Sequence, residues 1–429
     1  MFETIRNAWK IAELRKKLLF TLLIIFIFRV GAAIPVPFMV PENLINVSGS
    51  GLFEYFDIFT GGAFSQATLF AMSISPYITA SIVLQLLQVA IPALEQMAKE
   101  GEAGQKKLAK ISRYITLGLA LLQSTAYYLM HRNSGAVKYT TGASGVLAAL
   151  VIILSFTAGA MLIVWLGESV DKKGIGNGIS LILFAGIVSR GPRAILMLWE
   201  MLKAGFYAQQ YKYFVWVPLI IVLFLVLIGL IVLMTTAERR IPIQYSKRVV
   251  GRKMYGGQSS YIPVKVTMSG VMPIIFASAL LSIPSMIKTF GNITSGWGAK
   301  VLSWFEYTHP VYAILYLILI IAFNYFYVAI QYNPIQMAND LRKNNGAIPG
   351  IRPGKPTADF IAKIISRVTL IGALFIAFVA ILPILLGAVA KLPIAMGGTS
   401  IIIIVGVALD TVRTLESQMM MRHYKGFLE

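Results

Sequence analysis

Residues 218–234 read PLIIVLFLVLIGLIVLM, and those seventeen letters decide what kind of protein this is. The run holds no charge, no hydroxyl and no amide side chain. At a helical rise of about 1.5 Å per residue, such a run with its flanks covers the roughly 30 Å hydrocarbon core of a bilayer. Leu18–Ile27, Val146–Leu166 and Val311–Tyr332 repeat the theme. The whole chain follows suit, with 57% hydrophobic and 13% charged residues over 429 positions. Soluble domains carry about 45–50% and about 25%. The sequence therefore predicts an all-α polytopic membrane protein.

Working outward, ten hydrophobic spans can be counted, at about 18–37, 71–91, 112–130, 146–167, 177–199, 213–235, 268–288, 311–332, 367–388 and 394–410. With the N-terminus set inside, 28 of the 38 Lys and Arg fall in inner segments and 9 in outer ones. The positive-inside rule then puts both chain ends in the cytoplasm. Met1–Lys17 is polar and basic, and no cleavable-signal pattern follows it. The expected organisation is a cytoplasmic N-terminus (1–17), a half holding spans one to five (18–200), a half holding spans six to ten (201–410) and a cytoplasmic tail (411–429).

The spans contain an internal repeat. Pro76-Tyr77-Ile78-Thr79-Ala80-Ser81 in span two matches Pro273-Ile274-Ile275-Phe276-Ala277-Ser278 in span seven. Gly178-Ile179-Ser180 in span five, followed by Leu183, matches Gly398-Thr399-Ser400 in span ten, followed by Ile403. Pairing two with seven and five with ten implies two five-helix halves, and an odd number inverts the second half in the membrane. Inverted repeats place the working centre at their interface near the midplane. Ile78, Ile275, Leu183 and Ile403 are therefore candidates to face a common axis.

Chemistry-bearing groups are scarce. There is no cysteine, no nucleophile motif and no metal-ligand spacing, and the three histidines are expected in loops or the tail. The glycine cluster Gly174–Gly178 follows a hydrophobic span and not a strand, so it reads as a tight turn. With Arg190 and Arg193, near the outer end of span five, counted with the outer segments, the charge left in the span interiors is Arg29, close enough to the membrane edge to snorkel. This excludes a proton-coupled transporter relay and a membrane-embedded enzyme, and predicts no cofactor and no metal. What remains is a polar seam. Ser81, Gln85 and Gln88 share one face of span two, with Gln123 in span three and Ser278 in span seven.

Three loops depart from ordinary connections. Segments 238–266 and 333–363 are about thirty residues long and basic, which suits docking of a large partner. Segment 53–66, FEYFDIFTGGAFSQ, is too short to span and too apolar for water. It reads as a re-entrant element enclosed by protein, with Phe53, Phe56, Ile58 and Phe59 in a dry place and Glu54 and Asp57 in a wet one.

These residues, with Arg29-Val30-Gly31, Ile34-Pro35-Val36-Pro37, Gly61-Gly62-Ala63, Lys99-Glu100-Gly101-Glu102, Trp165-Leu166-Gly167-Glu168, Pro349–Gly354 and Gly397–Ser400, resemble the SecY family of protein-conducting channels over the whole chain. The resemblance implies an hourglass pore between two halves, in a bacterial plasma membrane, that passes unfolded preproteins and releases transmembrane segments sideways into lipid. It implies a pore ring of Ile74, Ile78, Ile179, Leu183, Ile275 and Ile403, with leucine at 183 where many members carry isoleucine. The re-entrant segment, with Phe53, Phe56, Ile58, Phe59, Gly61 and Gly62, matches the family's plug. Spans two and seven, with Ser81, Gln85, Gln88, Gln123 and Ser278, match its lateral gate. Arg240, Arg252, Lys253 and Arg352 sit at positions that contact the SecA motor and the ribosome. SecE and SecG are the implied membrane partners, signal peptides the implied gate ligands, and SecA the implied source of ATP hydrolysis, since the chain itself looks like no enzyme.

Overall fold

The computed structural model describes residues 2–40, 57, 60–207, 212–245, 248–250, 253–255, 259–290, 296–305, 309–390 and 398–425. Helices dominate: α1 Phe2–Lys10, α2 Ala12–Gly31, α3 Ser75–Ala90, α4 Pro92–Lys99, α5 Glu102–Asn133, α6 Gly142–Lys173, α7 Gly178–Val188, α8 Gly191–Tyr207, α9 Lys212–Thr236, α10 Met272–Phe290, α11 Trp297–Ser303, α12 Pro310–Gln331, α13 Pro334–Lys343, α14 Lys355–Ala390 and α15 Gly398–Lys425. Proline opens α3, α4, α12 and α13, where its missing N–H costs nothing and its fixed φ suits the first turn. At Pro92 it also ends the preceding helix, and α3 and α4 meet at 103°.

Each of the ten hydrophobic segments overlaps a helix, with corrections: the helix of span one ends at Gly31 and not at 37, that of span seven begins at Met272 and not at 268, and spans two and five differ further. Span two begins at Ser75 and not at 71, because residues 61–74 run in turns and Ala67 and Ser73 adopt positive φ. Span five is broken. Helix α7 ends at Val188, and Ser189–Arg190 turn the chain into α8. Arg29 is thus not the only charge at membrane depth, since Arg190 lies at this break. By length and hydropathy, five helical stretches among the described residues suffice to cross a bilayer, Gly142–Lys173, Gly178–Lys203, Phe214–Thr236, Pro310–Lys343 and Lys355–Leu382, of which the second runs from α7 into α8 and the fourth from α12 into α13. Their outward positions are apolar, as at Leu150, Leu154, Leu225, Val226, Leu374 and Phe378, which suits a lipid surround.

The packing repeats. In the first half α2 lies against α6 and α7, α3 against α5, α5 against α6, and α6 against α7. In the second, α9 lies against α14 and α15, α10 against α12, α12 against α14, and α14 against α15. The two sets coincide span for span when one is matched to six, two to seven and onward to ten. Glycines mark the same relation. A Cβ on Gly159 of α6 would stand 2.0 Å from the Leu69 carbonyl oxygen, and one on Gly372 of α14 would stand 2.2 Å from that of Val266. Each glycine admits the backbone that leads into the half's second span. Both begin the pattern Gly-Ala-x-x-Ile (Gly159-Ala160-Met161-Leu162-Ile163 and Gly372-Ala373-Leu374-Phe375-Ile376), and Ala160, Ile163, Ala373 and Ile376 are buried.

One face of the bundle collects both chain ends and both basic loops. Ala8 and Leu14 pack with Ile175 and Leu415, and Thr4 Oγ1 donates to Glu416 Oε1 at 3.2 Å. As far as Lys425 the expected tail is helical, an extension of α15, and Arg413 in it donates to the Thr235 carbonyl at the end of α9. The loops hold a small sheet that the turn signals had hidden. Strands β1 (Glu238–Tyr245) and β4 (Ser259–Lys265) pair antiparallel, with Ile241 opposite Ile262. Short strands β2 (Arg248–Val250) and β3 (Lys253–Tyr255) form a ribbon between them. From the other loop, β5 (Gly346–Ala347) joins β1 through Gln244↔Ala347. Ile241 and Ile243 alternate inward, the period of a half-buried strand, onto Val264, Leu341, Ile348 and Ile361. The two basic loops are one structured unit.

Candidate pore and gate

The two halves meet at two helix pairs, α7 with α15 and α3 with α10, while α5 also reaches α10. Five of the six ring candidates come from these four helices, Ile74 stands just before α3, and all six lie in a single apolar cluster at the junction. Ile74, Leu183 and Ile403 are 0%, 5% and 1% exposed, and Ile78, Ile179 and Ile275 pack against them partly buried. The same cluster takes in Ile24 and Phe28 of α2, Ile163 and Leu166 of α6, and Phe70. Local geometry holds the ring in register. Asn177 caps α7 by accepting from Ser180 N–H at 3.1 Å, and Gly178 N–H donates to Asp171 Oδ1 at 2.7 Å. A Cβ on Gly178 would come within 2.0 Å of the Gly167 carbonyl oxygen, so glycine lets α7 lie flush on α6. An aliphatic cluster of this kind offers water and ions no hydrogen bond.

Beside the ring, residues 60–74 form irregular backbone enclosed by protein, the only setting in which such backbone is tolerated at membrane depth. Phe70 stacks on Phe28 with ring centroids 5.9 Å apart. Leu69 N–H donates to the Ile34 carbonyl at 2.9 Å, Val36 N–H to that of Ala67 at 3.1 Å, and Tyr127 Oη to that of Phe64. Of the plug candidates, Gly61 and Gly62 have φ of +66° and +94°, while Phe53, Phe56, Ile58 and Phe59 lie outside the described residues. Asp57 corrects an expectation. It is not in a wet place but buried, ion-paired to Arg190, with Oδ1 accepting from Ser65 N–H at 2.8 Å. Arg29 likewise turns inward, donating to Ser189 Oγ at 3.0 Å. A partner supplied by the α7–α8 break makes the inward position cheaper than snorkelling.

His131 also departs from its expected loop. Helix α5 runs on to Asn133, so His131 is helical and buried, edge-on to Tyr127 one turn earlier, with centroids 4.2 Å apart. The i, i+4 spacing of Tyr127 and His131 was the available signal. Arg190 and Ser189 were missed because one span was drawn across 177–199, although Ser189-Arg190-Gly191-Pro192-Arg193 interrupts the apolar run with two charges and a Gly-Pro turn signal.

Along the gate seam, Ser81, Gln85 and Gln88 of α3 and Gln123 of α5 are partly buried, and Ser278 of α10 is buried. Ser278 Oγ donates to its own helix at Ile275, and among the described residues no hydrogen bond joins it to the α3 hydroxyl or amides. Behind the seam, Ser269 Oγ donates to Asn324 Oδ1 at 2.8 Å in a buried bond that ties the start of α10 to α12.

Of the docking candidates, Arg240 is exposed, donates to Glu238 and covers the Tyr261 ring at 4.8 Å. Arg352 is exposed between Gly350 and Gly354, whose φ values of +81° and +106° fix the loop. Lys253 lies on β3, and Arg252 lies outside the described residues.

Two pseudo-symmetric helical halves, an aliphatic waist at their junction and a re-entrant segment against it define a membrane channel. The SecY family model matches residues 68–412. Protein translocase subunit SecY of Streptomyces coelicolor is 43% identical over all of both chains, as is that of Bacillus subtilis. A solved SecY structure, whose plug domain is described as stabilising the closed channel and maintaining a membrane seal, superposes with a TM-score of 0.65 at 19% identity, covering 94% of this chain and 92% of that one. The chain belongs to the SecY family.

Proposed function

We propose that this chain is the pore-forming subunit of a bacterial protein translocase, passing unfolded preproteins through the aliphatic waist and releasing apolar segments between α3 and α10. The observation that supports this reading is that four residues chosen from the internal repeat and two more implied by the family resemblance fall in one cluster at the junction of the two halves. Aliphatic side chains grip a passing peptide without hydrogen-bonding it and seal again behind it. The gate reading rests on a seam that holds polar groups yet no cross-seam hydrogen bond among the described residues. The segment around 53–66 is the plug, and the face with both chain ends is cytoplasmic, in keeping with its Lys and Arg. There the joined loops, with Arg240, Arg252, Lys253 and Arg352, receive SecA or the ribosome. SecE and SecG complete the membrane complex. The chain is a passive conduit, and SecA hydrolyses the ATP.

Vesicles holding this chain with SecE and SecG, given SecA, ATP and a preprotein, should protect the preprotein from added protease. Protection should vanish without ATP and should not be matched by uptake of small solutes. Solute uptake without preprotein protection would replace this reading with that of a solute transporter.

A further inference from the structure

Helices α5 and α6 flank a cavity of about 510 Å³ where the chain turns from one into the other, a volume within the roughly 300–1,000 Å³ of ligand sites. Ile175, just past the end of α6, packs with Ala8 and Leu14 on the face of the chain ends. The 32 residues of α6 run about 48 Å, so its start and the cavity lie at the opposite face of the bundle. The turn there is held by backbone bonds. Val40 N–H donates to the Ala136 carbonyl at 2.8 Å, Lys138 N–H to that of Phe38 at 3.0 Å and Ala136 N–H to that of His131 at 2.9 Å. The cavity is therefore preformed.

Its lining changes character with depth. At the mouth stand Arg132, Thr140 and Thr141, all exposed. Arg132 donates to the Thr140 carbonyl at 3.4 Å, and among the described residues no carboxylate pairs with it. Residues 131–145 hold the cations Arg132 and Lys138 but no Asp or Glu, on the face that the positive-inside rule leaves poor in cations. Tyr128 lines the wall at 5% exposure, and its hydroxyl has no hydrogen-bond partner among the described residues. No side chain caps α6, so its first N–H groups add donors beside the guanidinium. Deeper, the lining is apolar, with Val146, Ala149, Leu150 and Ile153. Val146 and Leu150 are 64% and 57% exposed, so the cavity opens sideways toward hydrocarbon. From Thr141 to Ile153 the helix rises about 18 Å, close to one leaflet of a roughly 30 Å core.

We propose that this cavity binds one anionic glycerophospholipid of the leaflet far from the chain ends, with its phosphate on Arg132 and Tyr128 and one acyl chain along Val146–Ile153. A cationic mouth rich in donors calls for an anion, and a guanidinium holds a phosphate through two parallel bonds. An apolar trough one leaflet deep, open to the side, calls for a hydrocarbon chain on the same molecule. The bound lipid would fasten the α5–α6 turn to the membrane.

The test uses the chain, alone and with SecE and SecG, in phosphatidylcholine vesicles holding a minor share of phosphatidylglycerol with a photoactivatable group in one acyl chain. Light should attach this probe to the peptide holding Val146–Ile153 about tenfold more than to the one holding Leu225 and Val226, which face outward without a cavity. Equal attachment to both peptides needs no variant to interpret and would overturn the site. Arg132→Gln should cut attachment at 146–153 about tenfold, the scale of one charge-assisted hydrogen bond lost, and Arg132→Lys should restore part of it. Arg132 is exposed, so neither change threatens the fold. Ala149→Phe fills the trough without touching the charge and should cut attachment as far. Attachment that neither Arg132→Gln nor Ala149→Phe moves would remove the lipid from this cavity. An excess of inorganic phosphate should displace nothing, and displacement would give the mouth to a soluble phosphate instead. Attachment that vanishes once SecE and SecG are present would mean that a partner helix covers the cavity, and the lipid reading would fall.

Discussion

Helices α7 and α15 meet across the same relation that brings α3 to α10, yet the two seams differ in chemistry. The first is built on aliphatic side chains, with Leu181, Ile182, Leu183, Ile403 and Val407 in one buried cluster. The second carries Ser81, Gln85, Gln88 and Ser278, with no cross-seam hydrogen bond among the described residues. Symmetry places both seams, and side chains decide what each can do. Apolar side chains packed at crystal-like density resist separation. A polar seam can part, because its amides and hydroxyls can bond to water or to a passing chain. On the proposed reading, one junction serves as the hinge and the other as the gate.

Bridging cysteines should break or sharpen that contrast most strongly. Ser81→Cys with Ser278→Cys, joined by a bifunctional maleimide, should abolish preprotein transport. Leu181→Cys with Val407→Cys, joined the same way, should leave most of it. Equal loss in both would end the distinction between hinge and gate.

The halves also differ outside the membrane, since the large basic loops belong to the second half alone. Arg352→Glu should cut motor-driven transport about a hundredfold, the scale of a charged hot spot lost at an interface, with gating conductance unchanged. Normal transport by that variant would take Arg352 off the docking surface.

Smaller effects test the symmetry itself. Gly159→Ala and Gly372→Ala should each destabilise the folded chain by about 1–3 kcal/mol, the usual cost of overpacking, because both meet a backbone carbonyl that cannot yield. Gly118→Ala, with open space around it, should be neutral or slightly stabilising. Thermal unfolding in detergent would show it, and a large loss at one glycine only would mean that the two halves do not share this contact. The smallest effect concerns the rigidity of the gate's second leaf. Asn324→Ala leaves Ser269 Oγ buried without its acceptor and should cost about 1–3 kcal/mol, the lower end if a water enters. An unchanged midpoint would show that α10 and α12 hold without the bond.

Much of this was legible in the residues. A bilayer fixes how long an apolar run must be, so the segment at 218–234 announces a span with no knowledge of its neighbours. The P-x-I-x-A-S repeat likewise exposed the two halves and led to Ile78 and Ile275. The same reasoning overlooked the Gly-Ala-x-x-Ile repeat of α6 and α14, whose meaning lies in the carbonyl each glycine admits. It overlooked the strand β1 as well, although Ile241 and Ile243 alternate, because the basic residues around them read as loop.

By itself the sequence determined what depends on one segment and its solvent: the helices that cross, the excess of positive charge in particular loops and the glycines that open turns. Only tertiary structure decided what needs two distant partners. Asp57 was expected in water and is buried, because Arg190, 133 positions away, stands beside it where α7 turns into α8. Arg29 was expected at the membrane edge and bends inward to Ser189. A charge on an apolar element has its place set by its counterpart, and the chain must fold before that counterpart is near.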